Sequence, residues 1–466
     1  MNVLIYIISV YSKMMLFYFF VISIIYIMLI ILSSRKLRDF IVLINNDVTI
    51  ISNYTKPISV VVPAYNEDST IIDNISSLLD LNYPEFEIIV VNDGSNDKTL
   101  EKVIQHFNLR KIDVEVNMQV QCNEIKGVYG SYILPNLVLI DKENGGKADA
   151  LNVGINLSKY PLFCGIDADC IIEKNALLRI VKPFLKYEDT IAVAGMVRIA
   201  NGCIIKDGRL LEAKLPKKAI VRFQIIEYFR AFLTSRIGWE RINALVIVSG
   251  AFGLFKKSAL VKVGGYSKTI GEDMEITLKM HKYFRKNKLK YKIDFTSDAV
   301  CWTQVPDTLK GLKSQRTRWH RGLIDSILTH KDMIFNPKYG IVGMLSMPYF
   351  LFVEMLGPVI EMVGYIMFII LIVTGTVSKF FIFVFFMAFL YGILFSLCAI
   401  LFEEFSYKRY RGISEITKLV IYSFYEQFIY RQITVWWRVM SFFNFKNGSK
   451  EWGTIKRNTF SIKEDF

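Results

Sequence analysis

The chain has long apolar runs with few or no charged side chains near both ends, and between them a central region in which the apolar segments are short. Residues 14–32 carry no charged side chain, and further apolar blocks occupy 341–373 and 380–402. At about 1.5 Å of rise per helical residue, such runs are long enough to cross the hydrocarbon core of a membrane. Between about residue 40 and residue 335 no comparable run occurs. We therefore predict a folded domain between membrane segments.

Basic residues beside the apolar runs predict which way this domain faces. Arg35, Lys36 and Arg38 follow the first run, and the basic segment "SYKRYRG" follows the block 380–402. Because loops rich in Lys and Arg stay on the cytoplasmic side, we expect a cytoplasmic domain on a multi-pass protein of the cell (inner or plasma) membrane. The block 416–443 contains several charged residues, so we expect it to lie in the membrane interface, with a further span as the alternative.

The predicted organisation has four parts. They are an N-terminal transmembrane helix at 1–40, a cytoplasmic domain at 41–335, transmembrane and interfacial helices at 336–445, and a basic cytoplasmic tail at 446–466. The block 341–373 has an alternative division, into a short interfacial helix and a span broken near Pro358. It also contains Glu354 and Glu361 on one helical face. Carboxylates inside a membrane are costly, so they are either functional or satisfied by neighbouring helices.

Inside the central domain, β-branched strands alternate with helical patterns. "ISVVVP" (58–63), the start of "FEIIVVNDGS" (86–95), "LVLIDK" (137–142) and "PLFCGIDAD" read as strands. Strands that alternate with helices predict right-handed crossovers and a Rossmann-like, mostly parallel α/β sheet. Because the strands are apolar almost throughout, helices are expected on both faces of the sheet.

Polar side chains follow the predicted strands where each strand ends. The first strand ends in "PAYNE", which contains Pro63, Tyr65 and Glu67, and the second ends at Asp93. Ligands bind beyond the carboxyl ends of strands in such sheets. The fourth strand ends on Asp167 and Asp169, and carboxylate oxygens suit Mg²⁺ or Mn²⁺. Because alternate strand residues point to opposite sides, the strand must bend between these two aspartates if both are to share a ligand.

Three helical segments carry further candidate chemistry. Lys147 follows a glycine pair at a helix start, where it is either a phosphate ligand or a solvated lysine beside a helix cap. Glu272 and Asp273 begin another helix, where they either favour the helix dipole or supply a general base.

The third segment places Gln315, Arg318 and Trp319 at spacings that share one helical face. A cation, an amide and a flat indole presented together can hold a diphosphate and stack on a sugar ring. The alternative is an amphipathic helix at the membrane interface.

The composition limits the classes of partner that we expect for this protein. The 466 residues are 52% hydrophobic and carry a formal net charge of +14. With the apolar blocks, this surplus indicates a phosphorylated substrate and the anionic inner leaflet of a lipid bilayer rather than nucleic acid. The six cysteines show neither a CxxC pair nor zinc-ligand spacing, so we interpret them as reduced structural thiols.

Six motifs carry a resemblance to a known family. "VVPAYNE", "VVNDGSNDKT", "NGGKADALN", "DAD", "GED" and "QRTRW" occur in the order found in membrane-embedded family-2 glycosyltransferases. That group includes poly-N-acetylglucosamine, chitin, hyaluronan and cellulose synthases, and QxxRW is typical of its processive members. The resemblance covers roughly residues 57–323. It implies a GT-A-type fold and inverting transfer from a UDP-sugar with Mg²⁺ or Mn²⁺.

The resemblance also implies roles for individual residues. Asp273, with Glu272 beside it, resembles the general base, and Asp167 and Asp169 resemble the metal and diphosphate motif. "GED" stands where cellulose synthases have "TED", which suggests a different acceptor pocket. The remaining expected roles are nucleotide-sugar binding by Pro63, Tyr65, Glu67, Asp93, Lys147 and Asp167, with Asp93 at the uridine, and an acceptor and diphosphate gate formed by Gln315, Arg318 and Trp319.

The expected function is extension of a β-linked polysaccharide from UDP-N-acetylglucosamine or UDP-glucose, coupled to its secretion. One alternative is a non-processive transferase that makes a glycolipid, and a second is a non-catalytic nucleotide-binding transporter or sensor. An accessory membrane subunit is compatible with each. Residues 198–247 separate the "DAD" strand from "SGAFGLF", and we expect their aromatic side chains mainly to pack in the core, with shaping of an acceptor channel as the alternative.

Overall fold

The computed structural model describes residues 2–44, 55–206, 209–410 and 412–443. The predicted basic tail at 446–466 therefore lies outside the described residues.

A ten-stranded sheet forms the centre of the domain, with strand order β3-β4-β5-β2-β1-β6-β11-β8-β12-β7. A separate two-stranded sheet pairs β9 with β10. The strands are β1 Ile58–Ala64, β2 Phe86–Asn92, β3 Arg110–Ile112, β4 Ile125–Gly130, β5 Leu137–Lys142, β6 Leu162–Ile166, β7 Cys170–Ile172, β8 Thr190–Ile199, β9 Ile204–Lys206, β10 Arg209–Glu212, β11 Phe252–Lys256 and β12 Lys292–Thr303.

The four predicted strands lie side by side at the middle of this sheet. Pairing is parallel between β2 and β5, between β1 and β2, and between β1 and β6. Three strands, β4, β7 and β11, run against the common direction of the others. The predicted α/β class with a mostly parallel sheet is confirmed, and the far half, from β11 to β7, extends beyond the strands that we predicted.

Helices cover both faces of the sheet. The helices are α1 Asn2–Ile44, α2 Ile71–Leu79, α3 Thr99–His106, α4 Lys147–Leu157, α5 Ala176–Ile180, α6 Lys182–Lys186, α7 Ala219–Phe229, α8 Ile237–Arg241, α9 Lys257–Lys262, α10 Glu272–Lys286, α11 Leu309–Thr329, α12 Met347–Tyr349, α13 Gly357–Val373, α14 Lys379–Ser406, α15 Ile413–Tyr425 and α16 Arg431–Phe443. Wider π-helical turns join α7 to α8 (Arg230–Arg236), flank α12 (Val342–Ser346 and Phe350–Met355) and join α15 to α16 (Glu426–Tyr430).

Two helices are long and apolar enough to cross a membrane. They are Lys13–Arg38 within α1 and Lys379–Ser406, and the pair Val342–Met355 and Gly357–Val373 makes a third crossing if its two bent halves form one span. The 42° bend in that pair falls just before Pro358, which agrees with the predicted break. The segment α15–α16 is not among these candidate spans, and its interfacial position stays a prediction.

The membrane carboxylates have arginine partners. Arg431 Nε lies 2.6 Å from Glu361 Oε1, and Arg438 Nη2 lies 3.5 Å from Glu354 Oε2. Both arginines belong to α16, so two ion pairs join that helix to the bent segment. This pairing favours the structural alternative for the two glutamates.

The hydrophobic core on one face of the sheet continues into the membrane helices. Leu29 of α1, Met355 of the π-helical turn after α12 and Ala399 of α14 belong to one buried cluster. Val61 of β1 belongs to the same cluster. Separate elements therefore share one core, and the sheet is held directly against the membrane segments.

Candidate active site

The two aspartates of "DAD" lie in a bend between strands. β6 ends at Ile166 and β7 begins at Cys170, whose backbone N–H donates to the Asp167 carbonyl at 3.0 Å. Asn74 of α2 also donates its side-chain amide to that carbonyl at 3.3 Å. The bend predicted from the sequence is present, and it lets both carboxylates share one side.

The bend offers ligands suited to a divalent cation. Ligand atoms of Asp167, Asp169 and Cys170 lie within 4.8 Å of one another. Burial, followed by the neighbouring charge of Asp167, raises the pKa of Asp169 to about 7. A cation would relieve this repulsion, and the two carboxylates are ligands that Mg²⁺ and Mn²⁺ prefer. The residues present therefore fit the predicted metal.

Lys147 connects the "DAD" bend to the "GED" motif. Its Nζ lies 2.6 Å from Asp167 Oδ1 and 3.1 Å from Glu272 Oε1. Burial acts to lower the pKa of Lys147, but the two carboxylates outweigh it and raise the pKa. The ammonium thus stays charged at the point where both motifs meet. A Cβ on Gly250 would lie 2.5 Å from Lys147 Nζ, so the ammonium would have to shift to admit a side chain there.

Asp93 anchors the glycine loop that precedes Lys147. Its carboxylate accepts backbone N–H groups from Gly145 at 3.0 Å and Gly146 at 2.7 Å, and it pairs with Lys142 Nζ at 2.6 Å. Gly146 has φ +89°, a conformation that favours glycine. The structure therefore gives Asp93 an anchoring role, while contact with a uridine stays a prediction. Lys142 was not among the residues predicted from the sequence, because no local sequence pattern marks a lysine that will be buried.

The end of β1 contributes Pro63 inside the strand and Tyr65 and Glu67 just beyond it. The Glu67 carboxylate is buried and accepts the Thr70 hydroxyl at 2.9 Å. The Glu67 backbone N–H donates to Thr99 Oγ1 at 2.9 Å. These contacts shape the turn from β1 into α2, and a role in nucleotide binding stays a prediction.

Asp273 sits at the start of α10 among opposing charges. Its Oδ1 accepts the Met274 backbone N–H at 2.8 Å. Burial first, and then Glu272, raises the pKa of Asp273, while Lys147 and Arg236 oppose this rise. Both carboxylates line a small cavity together with Gly250. A carboxylate placed beside a cavity with a raised pKa is suited to accept a proton.

The "QRTRW" helix α11 packs directly on the "GED" turn. A Cβ on Gly271 would lie 2.7 Å from the Gly322 carbonyl oxygen, so the two backbones touch. Ser326 Oγ donates to the Gly271 carbonyl at 3.3 Å. The glycine that distinguishes "GED" from "TED" is therefore required by this close approach, and the expectation that it alters the acceptor pocket stays untested.

The predicted gate residues differ in exposure. Trp319 is 42% exposed and Gln315 is buried, while Arg318 is partly buried. Arg316, which we did not select, pairs with Glu227 at 2.6 Å and places its guanidinium 4.4 Å from the Trp319 ring centroid. Trp319 is therefore partly open to solvent, with a cation against its ring.

Comparisons with known proteins agree with these motifs. A family model described as "Glycosyltransferase like family 2" matches residues 56–322, and one described as "Chitin synthase" matches residues 266–459. The poly-beta-1,6-N-acetyl-D-glucosamine synthase of Staphylococcus epidermidis is 33% identical over 270 residues, which cover 57% of this chain and 54% of that protein. The same enzyme of Staphylococcus aureus (strain COL) is 32% identical over 267 residues, with the same coverage. The chain thus spans about half the length of the curated relatives it matches.

Among solved structures, a mannosyltransferase of Pyrobaculum calidifontis in complex with GDP-Man and Mn²⁺ matches with a TM-score of 0.46 and 17% identity. The match covers 86% of this chain and 99% of that chain. Because the TM-score is below 0.5, no conclusion is drawn from this similarity. The family match is different, because residues 56–322 are more than half of the 466 and contain all six motifs. The chain belongs to the family-2 glycosyltransferases.

Proposed function

We propose that this chain is a membrane glycosyltransferase that extends a β-linked polysaccharide, with UDP-N-acetylglucosamine as donor. The observation that carries the proposal is the Lys147 bridge, which brings the "DAD" and "GED" motifs within ion-pair distance of one ammonium. The names of the matched relatives support the choice of polymer and sugar.

The proposed reaction is a single displacement at the anomeric carbon of the donor. Asp273 takes the proton of the acceptor hydroxyl, whose oxygen forms the new glycosidic bond while the bond to the diphosphate breaks. The products are a β-glycoside and UDP, with the proton on Asp273. Lys147 offsets negative charge on the departing diphosphate, which lowers the barrier where that charge develops.

Asp167 and Asp169 are the residues that would hold Mg²⁺ or Mn²⁺. The bound ion would supply further positive charge to the diphosphate. Trp319 orients the terminal sugar of the acceptor, so that the hydroxyl is positioned before it reacts. The apolar helices place this chemistry at the lipid bilayer, with the domain on the cytoplasmic side and the polymer leaving across the membrane.

The test is transfer by purified full-length protein in detergent or vesicles, with radiolabelled UDP-sugars and sizing of the product. We expect a polymer with UDP-N-acetylglucosamine, loss of turnover with EDTA and recovery with Mn²⁺ or Mg²⁺. Asp273→Asn should lower the transfer rate by about 10²–10⁴-fold, the usual contribution of a general base.

Asp307→Asn is the matched control, because Asp307 is exposed and pairs with Lys218 at the surface. Full turnover by Asp273→Asn would remove this residue from the mechanism. A short glycolipid product under excess donor would favour the non-processive alternative, and UDP binding without any turnover would favour the transporter or sensor.

A further inference from the structure

The end of α10 and the loop that follows it carry positive charge that the proposed mechanism does not use. Six basic residues fall within 282–292, and no acidic residue occurs at 276–293. A helix C-terminus favours basic side chains, which accounts for those inside α10. Lys288 and Lys290, however, lie beyond the last helical residue, Lys286. The helix alone therefore does not explain this charge.

The loop forms a tight turn whose charged side chains face solvent. Lys288 has φ +52°, and the Leu289 backbone N–H donates to the Phe284 carbonyl at 2.9 Å. Lys286, Lys288 and Lys290, called the loop lysines below, are exposed, and Leu289 is exposed between them. The turn thus presents three ammonium groups and one apolar side chain together.

The acidic side chains next to the loop are already paired with other lysines. Lys282 pairs with Asp332 at 2.9 Å, and Lys292 pairs with Asp294 at 2.6 Å. Within the part of the chain that the structure describes, no ion pair involves the loop lysines. Their charge is therefore available to an anionic partner.

On one side the loop adjoins the end of the first candidate membrane span. Lys36, near the end of the span Lys13–Arg38, pairs with Glu240 at 2.6 Å and with Asp294 at 3.3 Å. Asp294 lies on β12, four residues after Lys290. The start of β12, and the loop before it, are thus tied to the end of that span.

On the other side α10 contacts the turn that leads into the bent membrane segment. A Cβ on Gly340 would lie 3.2 Å from Arg285 Nη1, so the guanidinium lies against this turn. Phe335 before the turn, and Ile341 and Met344 after it, are exposed apolar side chains. Apolar side chains next to basic ones are typical of a segment that lies in a membrane surface. The loop lysines therefore lie between elements that adjoin two candidate crossings.

We propose that the loop lysines form a docking surface for the anionic phospholipid headgroups of the bilayer that the apolar helices cross. Basic clusters beside membrane spans are attracted to anionic lipids, and each lysine near the surface adds to the attraction. A bilayer fits better than an acidic protein, because the loop adjoins candidate spans and exposed apolar side chains. This inference rests on the proposed membrane location of the domain but not on the proposed chemistry.

The docking surface has a consequence for the site. Helix α10 begins with Glu272 and Asp273 and ends at the loop lysines. The helix that presents the proposed base in its first turn is thus held at the lipid surface by its last turn.

Lysine footprinting of the full-length protein in nanodiscs tests this surface. The discs contain phosphatidylcholine alone or an equal mixture with phosphatidylglycerol, and mass spectrometry follows the acetylation of each lysine. We expect the loop lysines to react about fivefold or more slowly in the mixed discs, the factor that corresponds to the attraction of one lysine to an anionic surface. High salt should reduce this protection. Lys111, exposed on β3 at the far end of the sheet, should react equally in both.

Replacement of the loop lysines tests the same surface by direct binding. The variant combines Lys286→Gln, Lys288→Gln and Lys290→Gln. After release from mixed discs, native mass spectrometry should show that its ratio of bound phosphatidylglycerol to phosphatidylcholine is lower than that of the wild type by about fivefold or more.

The matched control makes the same change of charge at exposed lysines on the half of the sheet toward β3. It combines Lys111→Gln, Lys126→Gln and Lys159→Gln. This control should keep the lipid ratio of the wild type.

The outcomes separate this inference from the proposed function. Equal acetylation of the loop lysines in both kinds of disc, or the same lipid ratio for the two triple variants, would overturn the docking surface. Protection by soluble polyglutamate but not by phosphatidylglycerol would also overturn it and indicate an acidic protein partner. Neither measurement needs turnover, so lipid protection without transfer from any UDP-sugar would defeat the proposed function alone.

Discussion

At the scale of single residues, the site is defined by how charges are balanced around Asp273. Glu272 adds a negative charge next to it, while Lys147 and Arg236 act in the opposite direction. Lys147 is shared with Asp167, so the proton affinity of the proposed base depends on the same ammonium that faces the "DAD" bend. The carboxylates therefore form one electrostatic unit.

Glu272→Gln should shift the pH dependence of transfer. A base acts in its ionised form, and because the pKa of Asp273 is raised, activity is present above that pKa and lost as pH falls through it. Removing the Glu272 charge lowers the pKa of Asp273, so the acid limb of the kcat profile should move to lower pH. Glu212→Gln is the control, since Glu212 is exposed and pairs with Lys214. A move to higher pH would contradict the assignment of Asp273 as the base.

At the scale of elements, the contact between α11 and the "GED" turn brings the gate to the base. Gly271 has φ −113°, which any residue can adopt, so the constraint is the space between its backbone and Gly322. Two glycines on different segments thus set the distance from Trp319 to Asp273.

Gly271→Ala should push α11 away from the turn. Forcing a methyl group into a packed contact typically costs about 1–3 kcal/mol, and displacement of the gate should lower the transfer rate as well. Thermal unfolding in detergent and transfer assays measure the two effects. Gly364→Ala is the matched control, because its added Cβ would meet its nearest neighbours at 3.6 Å, an ordinary contact. Unchanged stability and activity in Gly271→Ala would contradict the close approach.

At the scale of the whole molecule, buried ion pairs tie the sheet to the membrane helices. Arg198 of β8 and Glu403 of α14 form two hydrogen bonds, at 2.8 and 2.7 Å, with both side chains buried. Arg230 likewise pairs with Glu426 at 2.5 Å in the segment that joins α15 to α16. These pairs, with the shared core, join the domain to the helices of the C-terminal part.

A double-mutant cycle on Arg198 and Glu403 tests this attachment. Arg198→Met or Glu403→Gln should each destabilise the protein by about 3–5 kcal/mol, because each leaves a buried polar group without its partner. The double variant should lose much less than the sum. The exposed pair Lys218 and Asp307 is the control cycle, expected to contribute about 1 kcal/mol or less. Additive losses at Arg198 and Glu403 would contradict a direct coupling.

The sequence by itself determined the class of the fold and which helices are long and apolar enough to cross a membrane. Strands β1, β2, β5 and β6 were predictable because their apolar residues are contiguous and end in polar turns. The bend between Asp167 and Asp169 followed from strand periodicity, and the break near Pro358 from the chemistry of proline. Each of these properties depends on residues that are close together in the sequence, so a local pattern is enough to predict it.

The tertiary structure decided which distant residues pack against each locally predicted segment. Strand β12 mixes polar and apolar residues and pairs irregularly with β8, so its place in the sheet depends on partners far along the chain. Lys142 becomes a buried ion-pair residue, and Arg236 reaches the field of Asp273, through packing between elements that no sequence spacing records. Burial and partner charge depend on the whole fold, and they turned a set of polar residues into one site.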